Sequence, residues 1–136
     1  MTLVELSYGH GQIGVEIPDA RLLALLEPRR PGGPRDETAL LRNAMDKPIG
    51  SPRLRDLAQP GQKVVIVTSD LTRPCPSDRL LPFLLDELQA AGVPDADITV
   101  VLALGLHRPM TEAEMEAALG ASLYRRLRVV NHDPLD

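Results

Sequence analysis

The chain has 136 residues, 43% of them apolar, with 15 Lys and Arg against 19 Asp and Glu for a net charge of −4, enough for one domain with a true core. The acidic balance argues against a nucleic-acid partner, which wants a basic face, and aromatics limited to Tyr8, Phe83 and Tyr124 leave no stacking platform for single strands. No apolar run approaches the roughly 20 residues of a membrane span, no signal-peptide pattern opens the chain, and the single cysteine, Cys75, allows no internal disulfide, so a soluble, cytoplasmic, reducing setting is expected.

Residues 2–7 and 12–17 alternate apolar and polar around "YGHG", which predicts a β-hairpin with a glycine turn. The same stretch, "GHGQIG", formally matches G-x-G-x-x-G. A dinucleotide site needs a helix opening at the third glycine, and "VEIP" continues as strand instead, so that reading is rejected. "ARLLALLE" fits either a helix or a buried extended segment. The Pro- and Gly-dense "PRRPGGPRDE" over 28–37 is a loop. Asp36 is placed to cap a helix from about Glu37 to Met45, and Ser51 followed by Pro52 marks a short helix ending near Ala58.

From Lys63 the order becomes βαβαβ. "VVIVTS" shows no alternation, as expected of a strand buried on both faces. Ser77 can cap the next helix, whose apolar stripe is Leu81, Leu84, Leu85 and Leu88. Pro82 within it suits a first turn, so a later start or a bend is expected. Gly92 closes the helix. "DITVVLAL" is the second strand. Thr111 and Glu114 form a capping box for a helix buried through Met115, Ala118 and Leu119 and stopped by Gly120. "LRVVN" is the third strand. The fold class is therefore α/β: one domain over 1–136, with a small parallel sheet over residues 63–131 in Rossmann-like order behind an N-terminal hairpin. Three strands with one helical layer are a fragment of such a fold, so the front portion of a longer, two-domain protein is expected.

Parallel strands joined by right-handed crossovers bring the loops after their C-terminal ends to one edge, where open α/β sheets bind ligands. Three polar clusters fall there: "DLTRP", "GLHRP" and "NHD". Arg73 can hold a carboxylate or phosphate by a bidentate fork. Pro74 and Pro76 stiffen that loop. His107 is the base of the second loop that titrates near neutrality. Asp70 can orient a ligand hydroxyl, accept from Arg73, or fix a histidine tautomer. Gly105 lets the backbone pass close to a ligand. His132 is a weaker candidate, since "HD" also makes a simple turn. Cys75 reads as a small filler, and Arg125, Arg126 and Arg128 as a solvated face. No P-loop, C-x-x-C or H-E-x-x-H pattern occurs, and no metal ligand is assigned.

The combination "SDLTRPCPS…GLHRPMTEAE…NHD", with the opening "YG" hairpin and "KPIGSPRLRDLA", resembles the N-terminal domain of the lactate racemase family that uses a nickel-pincer nucleotide. The resemblance runs over essentially the whole chain. It implies a racemase or epimerase of small 2-hydroxy acids in which a histidine removes the hydroxyl proton while the α-hydride moves to the cofactor and returns to either face of a planar keto acid. It implies His107 as the acid/base residue and Arg73 as the carboxylate clamp. Asp70, Thr72 and Arg108 would line the substrate and cofactor pocket. The tethering lysine and the nickel ligand of the family lie in a region that this chain does not contain, so a C-terminal domain is the expected partner and the isolated chain is expected to be silent. Two other readings stand: a module that binds small carboxylates or phosphates through Arg73 without chemistry, and an interaction domain that forms a homodimer through exposed apolar surface.

Overall fold

The computed structural model describes residues 1–28, 36–73 and 75–135. Pro74 and most of the expected loop over 28–37 lie outside the described residues. The chain divides into two compact units, Met1–Pro34 and Arg35–Asp136.

In the first unit β1 (Thr2–Tyr8) pairs antiparallel with β2 (Gly11–Ile17), from Thr2 opposite Ile17 to Tyr8 opposite Gly11. The turn is Gly9–His10. Gly9 has φ +57 and no non-glycine residue described here has positive φ, so only the first central position is left-handed, which is the demand glycine meets in a two-residue hairpin. The glycines of "GHGQIG" thus serve a turn and a strand, as the rejection of a nucleotide motif requires. The leucine-rich segment after Pro18 is neither helix nor buried strand. It makes one 3-10 turn, Asp19–Arg21, and then leaves Leu23 and Leu26 almost wholly exposed.

The second unit is an α/β layer. α1 (Glu37–Asp46) is capped by Asp36, whose carboxylate accepts from the Ala39 amide at 3.1 Å. The next helix starts later than the Ser51–Pro52 signal predicts: α2 spans only Leu54–Leu57, with Arg53 at its N-cap position and no side-chain cap of its own. The reason is long-range. The carboxylate of Glu87 accepts from Arg53 and from the Arg55 side chain, and lies 3.4 Å from the Arg55 amide, so a distant acid does the capping.

β3 (Val64–Ser69), β4 (Ile98–Ala103) and β5 (Arg128–Asn131) form a parallel sheet in the order β3-β4-β5. Ser69 pairs with Ala103 and Leu102 with Asn131, so the three strands end level at one edge. Between them run α3 (Ser77–Ala90), then α4 (Glu112–Leu119) and α5 (Ala121–Arg126). The last is a helix that the sequence pattern did not reveal, since Gly120 stops α4 but lets α5 start at once. Arg125, Arg126 and Arg128 are all exposed, as a solvated face requires, and Arg126 of α5 pairs there with Asp95.

One face of the sheet is the core. Ile98, Val100 and Leu102 alternate inward; Ile98 and Val100 share a core with Leu81, Leu85 and Leu88 of α3 and Leu119 and Leu123 of the following helices, and Leu102 packs in a second cluster with Met115. Each such side chain contributes about 1.5–3 kcal/mol on burial. The other face is open among the described residues: Val65 is 60% and Val67 65% exposed. The expectation that β3 is buried on both faces therefore fails, because all the described helices that pack on the sheet lie on one side.

α3 runs unbroken from Ser77 through Pro82, so it does not start later on the proline's account. Ser77 is its first residue, not its cap; its hydroxyl is turned to Thr68 at 2.6 Å. The C-terminus is a Schellman close: the Val93 amide reaches the Leu88 carbonyl at 3.0 Å and the Gly92 amide reaches Gln89 at 2.9 Å, with Gly92 at φ +83.

Candidate functional site

At the C-terminal edge of β3 the chain turns at once. The Arg73 amide donates to the Asp70 carbonyl at 3.2 Å, closing a four-residue turn, and the Ser69 hydroxyl ties it by donating to the Arg73 carbonyl. Asp70 is buried, 5% exposed. Its Oδ1 accepts from the Thr72 amide at 3.0 Å and from the Thr72 hydroxyl at 2.7 Å. These bonds form an Asx-type turn that fixes the carboxylate before any ligand arrives.

The loop after β4 is held at both ends. Leu104 and Met110 are buried in a small cluster with Leu102 and Met115. Between them Gly105, at φ +57, lets the His107 amide fold back onto the Leu104 carbonyl at 3.0 Å. His107 stands at the apex, and its Nδ1 lies 2.5 Å from Asp70 Oδ2. The Thr72 hydroxyl is 3.4 Å from the same nitrogen. Of the three roles open to Asp70, the geometry realises the third, holding a histidine tautomer. No bond runs from Asp70 to the Arg73 guanidinium.

The electrostatics agree. Hydrogen bonds from Thr72, and next the His107 ring, hold the Asp70 carboxyl down at about 2. An ionised Asp70 can only accept, so Nδ1 must carry the proton. In a neutral ring Nε2 is then a bare acceptor, and the half-exposed side chain leaves that atom open to a ligand. A carboxylate behind an imidazole with its far nitrogen free is the arrangement of a general base.

Among the described residues the Arg73 guanidinium hydrogen-bonds only the neighbouring Thr72 carbonyl, at 3.2 Å. Among the described residues no carboxylate pairs with it, so its fork is available to an anion. Arg108 is placed differently. Both its terminal nitrogens meet Glu114, at 2.8 and 2.7 Å. Glu114 also closes the capping box, accepting from the Thr111 amide at 2.8 Å, and Arg108 foremost holds its carboxyl down at about 2.

The third cluster contributes in a way the sequence did not show. Asn131 faces the His107 loop: its Oδ1 accepts from the Met110 amide at 3.1 Å and its Nδ2 donates to the Met110 carbonyl at 2.9 Å. His132 continues the sheet by its backbone, donating to the Leu102 carbonyl at 3.0 Å, and its side chain makes no bond to the Asp70–His107 pair. Cys75 is exposed and lines a cavity of about 320 Å³ with Ser69, Asp70, Leu71 and Glu114.

Comparison with known proteins adds an independent line. The family model for the lactate racemase N-terminal domain matches residues 8–136. Lactate racemase of Thermoanaerobacterium thermosaccharolyticum is 36% identical over 136 residues, covering 98% of this chain and 32% of that protein. Lactate racemase of Lactiplantibacillus plantarum is 37% identical over 100 residues, covering 74% of this chain and 23% of that protein. The solved lactate racemase apoprotein from Thermoanaerobacterium thermosaccharolyticum superposes with a TM-score of 0.80 at 34% identity, over 97% of this chain and 30% of that one. The chain thus spans a third or less of the length of these relatives. No helix among the described residues is long and apolar enough to cross a membrane.

Proposed function

Because the chain belongs to the lactate racemase N-terminal domain family, we propose that it forms one wall of the active site of a racemase or epimerase acting on a small 2-hydroxy acid such as lactate. The Asp70–His107 dyad carries this reading. Inverting a hydroxyl-bearing carbon by way of a planar keto acid requires a base at the hydroxyl proton, and His107 Nε2, bare because Asp70 holds the proton on Nδ1, is suited to take that proton and give it back. Arg73 supports the substrate carboxylate through its unpaired fork, in a loop already set by the Asp70–Thr72 bonds. Thr72 keeps Asp70 ionised and in place. Arg108 acts from behind Glu114 and meets the pocket only if that ion pair opens.

The nickel-pincer nucleotide implied by the resemblance meets a partial fit. Among the described residues no three His, Cys, Asp or Glu side chains converge as a metal site would need. Arg73 and the polar loop around Thr72 fit the anionic parts of such a nucleotide, or of the substrate. When bound, the nucleotide would supply a hydride acceptor at the α-carbon. Its tether and its metal ligand would come from a C-terminal domain, in keeping with relatives of which this chain covers 32% and 23%, and the isolated chain is expected not to catalyse.

A chimera tests this. This chain replaces the matching residues of the Thermoanaerobacterium thermosaccharolyticum lactate racemase, and racemisation of L- and D-2-hydroxy acids is followed. An active chimera that loses activity on His107→Ala supports the reading. Full activity of that variant overturns the role of His107. An inactive chimera, together with small-anion binding by the isolated chain that is lost on Arg73→Ala, points instead to a binding module.

A further inference from the structure

We infer that Asn131 is a positioning residue for His107, a step that rests on the proposed role of His107 as the base. Asn131 ends β5 at the edge where the site lies, opposite Leu102. Its one side chain engages both backbone groups of Met110, accepting from the amide at 3.1 Å and donating to the carbonyl at 2.9 Å. Only a carboxamide of this length offers a donor and an acceptor side by side. Aspartate offers two acceptors, and an aliphatic residue offers neither.

Met110 is where this bond matters. It lies three residues past His107 and is 4% exposed. The other end of the loop is Leu104, 2% exposed. Between these anchors the loop bonds are the His107 amide to Leu104, Arg108 to Pro109 and Glu114, and the imidazole to Asp70 and, at 3.4 Å, to the Thr72 hydroxyl. The reach of the loop, and so the Nδ1 to Oδ2 approach of 2.5 Å, depends on where Met110 is pinned. Freed from Asn131, Met110 has two unsatisfied backbone groups in a half-buried setting and the loop shifts to satisfy them. A shift of about 1 Å is enough to part a hydrogen-bonded pair. The rival anchor is the capping box at Thr111 and Glu114, which fixes the turn just beyond.

The test uses the 136-residue chain labelled with ¹⁵N, at a pH high enough that the ring nitrogen signals no longer move with pH. Long-range proton–nitrogen spectra report the tautomer of each histidine, with exposed His10 as the internal reference. Wild type is expected to show His107 as a single Nδ1-protonated tautomer. In Asn131→Ala and in Asn131→Asp it becomes a mixture like that of His10; the Met110 amide exchanges about tenfold faster or more in Asn131→Ala, while Asn131→Asp still accepts from that amide and loses only the bond to the Met110 carbonyl. The Val100 amide in β4 keeps its protection. Where Asn131→Ala does not fold, Asn131→Asp decides, since it keeps the volume and one of the two bonds. A single His107 tautomer retained in the folded variant overturns the inference and assigns the loop to the capping box. A mixed tautomer already in wild type removes the dyad itself, and with it the proposed base, which is a separate failure.

Discussion

Asp70 and His107, 37 positions apart, meet at 2.5 Å between Oδ2 and Nδ1 at the level ends of two adjacent parallel strands. If His107 is the base proposed above, the carboxylate acts through the ring, and its removal should read as a loss of base function with the fold intact. In the chimera, Asp70→Asn keeps the volume and loses the charge, and an amide can equally well stabilise the wrong tautomer. The expected outcome is a fall in kcat of about 10²–10⁴-fold, the range of general acid–base catalysis, with KM within a few-fold. A kcat within threefold of wild type would show that Asp70 does not set the ring.

How much of this was legible in the sequence follows from which interactions are local. The hairpin, the Asp36 cap, the Thr111–Glu114 box and the Gly92 close are set by residues within a few positions of each other, and each stands where its motif predicts. The convergence of "DLTRP" and "GLHRP" was legible because strand direction alone brings both loops to one edge. What escaped was non-local or one-sided. Ser77 has the spacing of a cap but spends its hydroxyl on Thr68, and Ser51 loses its place to Glu87, 36 residues further on. The unalternating "VVIVTS" signals burial on both faces without saying what supplies the second layer. Asn131 carries no motif at all, since one amide bonding one backbone unit across 21 positions leaves no pattern in the chain.

Gly92 should tolerate no side chain. Its φ is +83, and an added Cβ would come 2.9 Å from Pro60 Cγ. Left-handed backbone alone costs a residue other than glycine about 1–2 kcal/mol, and the proline ring cannot swing away as a flexible side chain would. Gly92→Ala should lower the thermal midpoint of the chain by about 4 °C or more. An unchanged midpoint in differential scanning calorimetry would mean that the α3 close relaxes freely.

Glu87 should be a larger stability determinant than any surface ion pair. It is 4% exposed and joins Arg53 and Arg55, with Arg53 reaching on to Asp46. Glu87→Gln leaves two guanidinium groups facing an amide. The expected loss is about 2 kcal/mol, below the 3–5 kcal/mol of a fully buried pair because the Arg55 side chain stays 40% exposed. Urea denaturation measures it. A loss under about 0.5 kcal/mol would place the network with ordinary surface pairs.

Arg73 separates charge from geometry. Lysine keeps the charge but not the planar fork. In the chimera, Arg73→Lys should raise KM for the hydroxy acid about tenfold and Arg73→Ala about a hundredfold, one and two factors of roughly 1.4 kcal/mol. Equal KM values for arginine and lysine would leave a simple charge effect. A KM within twofold for the alanine variant would remove Arg73 from substrate binding.

The acid limb of stability has a definite sign. Asp70, Glu87 and Glu114 are each held at about 2, from ordinary values of 3.8, 4.5 and 4.5, chiefly by Thr72, Arg55 and Arg108 respectively. A depressed folded-state value means that the unfolded chain binds more protons across the interval, so stability rises with pH there. The contribution is whole above the unfolded values and is lost as pH falls from about 4.5 toward 2. Urea midpoints should therefore hold level from about pH 7 to 5 and fall steeply below. Glu87→Gln removes one of the three titrations, so its curve should start lower and fall less steeply. Parallel curves for the variant and wild type down to pH 2.5 would show that the Glu87 network adds nothing to the acid limb.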